Sequence, residues 1–395
     1  MSKIEFLDLG MQPIANNFLS SVSDIKNEYK FRLAVTFDDD TKLVSLSNFV
    51  SPDLMFNDSY VYHSSLSKTM RSHFKDAALS FLKDYSPEKV LEIGSNDGVF
   101  LKNFSSKRST AIGVEPCSNF ANITRDLGYA TYDKFWNNQL AKEIVLNHGK
   151  QDLIFSANCI CHIQNLDEAF SAISKTMSST GIFVFEDPSL LSMINRRSYD
   201  QIYDEHAHIF SIIALRNLLD KHDLSIFKVQ SLKVHGGSNR IFVCHKGVRS
   251  IEESVSEIIS KEIDAGLNTI DAYRRFAYDV EKSKRQLLDI IHELKRKNYK
   301  IISYGATSKS TTVFNYCGIG TNLIDYIVDT TPAKHGKLSP GAHIPVISPE
   351  EGFNDTVDYA FLGAWNYENE ICEKERKFLK KNRFITHVPY VRFIK

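Results

Sequence analysis

An excess of charge of either sign is missing from this chain, in which 48 Lys and Arg stand against 48 Asp and Glu. A nucleic acid polymer or an anionic membrane surface would call for a basic surplus, so neither is expected as the main partner. No apolar run reaches the roughly 20 residues of a membrane-spanning helix. The opening "MSKIEFLDLG" carries acids where a signal peptide has its apolar stretch, and a cytoplasmic location is expected. Cysteine is scarce and scattered, at 117, 159, 161, 244, 317 and 372. Its one close pair, in "NCIC", is C-x-C and not C-x-x-C, so reduced, buried thiols are expected. Internal repeats and low-complexity tracts are absent too.

What is present reads as a soluble globular chain, 43% hydrophobic and 24% charged, whose 395 residues call for two or three domains. Residues 1–75 alternate short apolar and polar runs such as "KFRLAVTFDDDTKLVSL", which predicts a small β-rich unit. Over 76–249, a helical stretch ("FKDAALSFLKDY") leads into "EKVLEIGSNDGVFLKNF", read as strand, glycine turn and helix. The runs "TAIGVEP", "QDLIFSAN" and "TGIFVFEDP" continue a strand–helix alternation, the pattern of a parallel sheet covered on both faces. A helix ("SIIALRNLLDKH") and two strands ("LSIFKVQSLKV", "NRIFVCHK") close this part. Residues 250–298, proline-free and rich in Glu, Lys and Arg, predict a helical connector. From 299 to 395 a smaller α/β unit opens with "NYKIISYGATSKSTTVFNYCG".

The sharpest local signal is "LEIGSNDG", residues 91–98. Gly94 permits a tight turn, and Gly98 would let a helix N-terminus approach a ligand. Glu92 lies on the strand beside Asn96 of the loop, and Glu115 ends the next strand, where an acid commonly takes a ribose diol. Ser95-Asn96 breaks the G-x-G-x-x-G spacing of a dinucleotide site. The E-x-G-x-x-x-G pattern resembles instead the S-adenosylmethionine loop of class I methyltransferases; NAD or FAD, and a plain strand turn, remain as alternatives.

The other dense stretch is "YDEHAHIF", residues 203–210. Metal, general-base and solvated-turn readings all fit a run this polar. A methyl sulfonium needs no acid for its leaving group, so a base that readies the nucleophile is the chemistry to seek. His206, with a pKa near neutrality, is the candidate. Glu205 or Asp204 would orient it, and Tyr203 would donate to an oxyanion. Asn158 and His162, in "SANCICHI", fall over the same end of the sheet. A metal held by His206, His208 and Glu205 fits the spacing poorly. Each lone histidine could equally be a satisfied structural residue.

Nearly end to end, the chain resembles the S-adenosylmethionine-dependent sugar C-methyltransferases, three-domain enzymes acting on nucleotide-linked 4-keto-deoxysugars. The resemblance rests on "FLDLGMQPIANNFL", "YVYHSSLS", "VLEIGSNDG", "YDEHAHIFS", "HGGSNRIFV", "YGATSKSTTVFNYCGIG" and "GAHIPVISPEE". It implies a class I Rossmann-like α/β domain between the β-rich N-terminal unit and a C-terminal α/β unit that holds the nucleotide-sugar. It casts His206 as the base that removes the proton α to the ketone, with Glu205 orienting it. Tyr203 and His162 would stabilise the enolate oxygen, with Asn158 nearby. Glu92, Gly94, Asn96, Gly98 and Glu115 would bind the cofactor. Tyr60, Tyr62, Arg240 and Lys309 would bind the substrate, Lys309 and Arg240 being open to plainer surface or turn roles. The family's N-terminal unit usually holds zinc with two cysteine pairs; here "TFDDDTKL" stands where the second should be, and no zinc is expected. The expected partner is the nucleotide-linked sugar, bound by a monomer or weak homodimer. Rival readings are O- or N-methylation of a similar sugar, and a non-catalytic sugar-nucleotide-binding subunit.

Overall fold

A computed structural model describes residues 3–104 and 109–395. At the N-terminus, period-2 patterning makes β1 (Lys3–Pro13) and β2 (Lys30–Asp38), which turn Leu7, Leu9, Phe31, Leu33, Val35 and Phe37 inward. They pair antiparallel, and β3 (Val44–Leu46) follows across the "DDDTK" turn, where Asp38 accepts the backbone N–H of Asp40 and Thr41. The inner face packs on the helices Ile270–Arg296 and Ser308–Cys317, with the Phe37 and Tyr273 rings 4.7 Å apart.

The central sheet contains β4 (Lys89–Ile93), β5 (Thr110–Val114), β6 (Ala130–Tyr132), β7 (Gln151–Ala157) and β8 (Met177–Pro188). The short β9 (His208–Ile209) leaves this unit and pairs antiparallel with β3, completing the N-terminal sheet. β10 (Leu224–Leu232) and β11 (Ser238–His245) then finish the central sheet in the order β10-β11-β8-β7-β4-β5-β6, with β11 antiparallel to its neighbours. Its inner strands are apolar on both faces because helices cover both. The chain steps outward from β4 to β6, then resumes on the other side at β7, so the order reverses between β4 and β7. This is the class I methyltransferase Rossmann-like sheet.

Helices Glu253–Asp264 and Ile270–Arg296 lead to the third sheet. Its strands are β12 (Ile301–Tyr304), β13 (Ile327–Val328), β14 (Val346–Ile347), β15 (Tyr359–Leu362), β16 (Arg383–Thr386) and β17 (Arg392–Ile394). The order is β14-β13-β12-β15-β16-β17, parallel but for β17, and it reverses between β12 and β15.

Two local expectations change. Among the described residues, the segment directly after "LEIGSNDG" forms a 3-10 turn, Leu101–Asn103, in place of the expected helix. Val99, Phe100, Leu101 and Phe104 are all buried, so four of the six residues after Gly98 are consumed by the core beneath the loop and only Lys102 and Asn103 reach outward. The helix preceding β4 begins earlier, at Lys68, where Ser67 accepts the N–H of Met70, and it runs across the 75/76 boundary. Among the described residues, no helix is long and apolar enough to cross a membrane. The six cysteines are unpaired.

Candidate active site

Ligands bind open α/β sheets at the carboxyl ends of the strands where the order reverses. Here there are two such crevices, one at Gly94 and Asn158, the other at Gly305 and Ala364, and both open into one cavity of about 1030 Å³. Pockets for a small ligand span roughly 300–1,000 Å³, so this one lies at the upper end of that range.

Between the crevices lies the 203–210 stretch. β9 ties its far end to β3, where Ser45 Oγ and His208 Nδ1 lie 2.8 Å apart. His208 is thereby turned into the sheet, and burial lowers its pKa to about 4. Further back, Thr312 Oγ1 donates to the Ile202 carbonyl at 3.0 Å and the Ala15 N–H to Asp204 Oδ1 at 2.9 Å. Burial and the charge of Glu205 push Asp204 well above the usual carboxylate range.

His206 lies with Nδ1 2.6 Å from the Gln201 carbonyl and Nε2 2.8 Å from the Tyr203 hydroxyl. A carbonyl only accepts, so Nδ1 carries the hydrogen and Nε2 presents its lone pair to the phenol. Burial, His162 and Lys309 hold its pKa well below the ordinary value, and the ring is neutral. The orienting role assigned to Glu205 falls to Gln201 instead. Glu205 accepts Asn16 Nδ2 at 2.6 Å and the Tyr60 hydroxyl at 3.1 Å, which uses both of its oxygens. His162 is stacked between Phe56 and His206, at 5.4 and 5.5 Å; burial lowers it to about 3, and its Nε2 has no partner. Asn158 holds a left-handed turn, φ 49°, after β7, its N–H donating to the Glu186 backbone carbonyl at 2.7 Å. Tyr60, Tyr62, Asn158, His162, Tyr203, Glu205, His206 and Lys309 all line the cavity. Lys309 is half-buried between Asp200 and Glu205, and burial lowers its pKa against those two charges.

At the first crevice Gly94 has φ 77°, and a Cβ there would stand 2.8 Å from Cys159. Glu115 accepts the N–H of Asn96 at 2.8 Å and of Cys117 at 3.0 Å, and it lines the cavity with Asn96. The Asn96 side chain is engaged elsewhere, bound to the Ser64 N–H and the Tyr62 carbonyl, and so latches that segment over the loop. Glu92 and Gly98 do not reach the cavity wall. Burial pushes Glu92 well above the carboxylate range, and Gly98 packs on Thr124 and Leu127.

Arg240 is also elsewhere. It is buried on β11 with Nε 2.6 Å from Glu186, which also meets His73 Nε2 at 2.5 Å, so its charge is spent within the sheet. The metal set His206, His208 and Glu205 does not converge. Cys161, His162 and His206 do bring ligand atoms within 4.8 Å of one another. However, both nitrogens of His206 are engaged and Cys161 lies off the cavity wall, so no metal role is assigned.

Sequence reasoning missed Asn16 and Gln201, which act on the motif from outside it, and His235. It also missed Phe135 and Trp136 beside the first crevice, and Asp329, Lys334 and Lys374 at the second. A small acid after the second strand of a strand–turn–helix unit was the available signal for Asp329, which accepts the N–H of Ala306 and of Thr331.

The chain is 30% identical to the C-methyltransferase NovU of Streptomyces niveus, over 99% of this chain and 94% of that one. It belongs to the C-methyltransferase family. Within this methyltransferase, residues 66–229 match a methyltransferase domain, 233–389 a C-methyltransferase C-terminal domain and 1–56 a putative zinc binding domain. Solved structures show more distant likeness. A methyltransferase from Clostridium acetobutylicum is 14% identical over 45% of this chain and 92% of that one, with a TM-score of 0.36. A magnesium protoporphyrin IX methyltransferase from Synechocystis is 9% identical over 45% and 79%, with a TM-score of 0.34. The fold stands on the strand order. The zinc description meets a stretch, 1–56, with neither cysteine nor histidine. Three of its carboxylates are engaged as well: Asp38 by the turn, and Glu5 and Asp8 by Arg32. That donor set does not fit zinc, which takes sulfur and nitrogen ligands in structural sites.

Proposed function

We propose that this C-methyltransferase methylates the carbon next to the ketone of a nucleotide-linked keto-deoxysugar, without zinc. The observation that carries the reading is the pair of facing crevices on one cavity, with a neutral imidazole between them. S-Adenosylmethionine, when bound at the Gly94 crevice beside Glu115, supplies an activated methyl group that needs no acid. The second crevice, at Gly305 with Lys309, Lys334, Lys374 and Asp329, suits a nucleotide: cations for phosphates and an acid for a ribose.

His206 Nε2 takes the proton from the α-carbon, and its Nδ1–H stays on the Gln201 carbonyl. To receive that proton Nε2 must release the Tyr203 hydroxyl, which then becomes a donor for the enolate oxygen. His162 adds a second neutral ring on the same side. Tyr203 and His162 would hold the enolate oxygen so that its carbon faces the Gly94 crevice, from which the bound cofactor would supply the methyl group. In deuterated water without cofactor, the protein is expected to exchange the α-proton of a nucleoside-diphosphate 4-keto-6-deoxysugar. A lack of exchange together with a product methyl on oxygen or nitrogen, seen by NMR, would overturn the reading.

A further inference from the structure

Beyond the 203–210 stretch, the cavity wall carries another imidazole, the half-buried His235, on the segment 234–237 between β10 and β11. His235, Gly236 and Gly237 follow one another at φ 52°, 86° and 113°. A left-handed backbone costs glycine nothing but is uncommon for histidine, and such outliers gather at ligand sites. The segment is held on three sides. A Cβ at Gly236 would collide with Trp365, and one at Gly237 would lie 2.7 Å from Ser192. The His235 carbonyl accepts Gln201 Nε2 at 2.9 Å, from the same residue whose own carbonyl fixes His206.

The ring that this backbone presents is unfinished. Its Nε2 is buried with no hydrogen-bond partner, a state that costs free energy until something fills it. It lines the cavity with Lys309 and His206, and both lie within electrostatic reach of it. Burial, helped by the charge of Lys309, lowers its pKa to about 3, so it offers neutral hydrogen bonding and no charge. A phosphate would select a cation here, whereas a sugar hydroxyl or carbonyl suits a neutral ring. We propose that His235 is a specificity residue that hydrogen-bonds an oxygen of the sugar while the nucleotide is held elsewhere. This rests on the nucleotide-sugar reading above, but not on which atom is methylated.

Calorimetry with two probes, thymidine diphosphate 4-keto-6-deoxyglucose and thymidine diphosphate alone, tests it in the full chain without cofactor. His235→Asn tolerates the left-handed backbone but stops short of the Nε2 position, and His235→Gln reaches it. His235→Asn should weaken the sugar-nucleotide by about tenfold and leave thymidine diphosphate unchanged, with His235→Gln recovering part of the loss. Equal loss for both probes would mark a structural role and overturn the proposal, as would unchanged binding of both. Should His235→Asn melt too early to measure, His235→Phe fills the volume without ring nitrogens and carries the same expectation. Failure of the C-methylation reading would show separately, as wild-type protein that binds the sugar-nucleotide without exchanging its α-proton.

Discussion

Gln201 pins the Nδ1–H of His206, and burial among His162, His235 and Lys309 keeps the ring neutral. A base must be unprotonated to act, and here the folded pKa is depressed. Its neutral form therefore persists below the ordinary value of about 6.5 and is lost only as the pH falls through the lowered one. The acid limb of kcat/KM should accordingly lie well under 6.5, and a profile that bends near 6.5 would remove His206 from the role. His206→Ala should cost turnover and exchange about 10²–10⁴-fold, with cofactor binding unchanged by calorimetry. Asp204 makes a different prediction. Its Oδ1 accepts the Ala15 N–H, so Asp204→Asn, which keeps an acceptor oxygen, should be nearly neutral in a denaturant melt, whereas Asp204→Ala strands that buried N–H and should cost about 1–3 kcal/mol. At this scale the titratable groups of the motif were legible because their chemistry travels with their identity. Gln201 was not, because it acts through a carbonyl that every residue has.

Between elements, Arg240 on β11 and Glu186 on β8 form a buried pair that bonds two antiparallel strands of the central sheet. Arg240→Ala should therefore destabilise by about 3–5 kcal/mol, read as a fall in the melting midpoint, with little change in KM for the protein that remains folded. A large rise in KM at unchanged stability would restore the substrate role expected from the sequence. At the β4–β7 reversal, Gly94→Ala would drive a Cβ against Cys159 in a backbone that disfavours it. Cofactor affinity should then fall by about tenfold or more. Alternation and apolar runs had marked the strands well, since period and burial are written in side-chain order. The missing helix after Gly98 was illegible because the rings that claim Phe100, among them Phe74, Phe81 and Phe155, are brought to it only by folding. Arg240 misled for a related reason, as its partner lies 54 positions away.

Over the whole molecule, the N-terminal sheet borrows β9 from residue 208 and packs on helices from 270 onward. A fragment of residues 1–66 thus lacks both its fourth strand and its covering face, and by circular dichroism it should be unfolded. The full chain should lose the N-terminal and central signals in one transition. Metal analysis of the purified protein should find no stoichiometric zinc. The cavity itself, shared by two sheets, was visible in the sequence only as two separate strand–turn–helix units; that they face one another is a property of packing. The borrowed strand has a further consequence for recombination. Exchanging the first 56 residues with a relative would mismatch β3 against a foreign β9 and shift the base with it. A working chimera must carry the 203–210 stretch along with the N-terminal unit, so the segment that carries Asn16 and the segment that carries Glu205 and His206 are inherited as one.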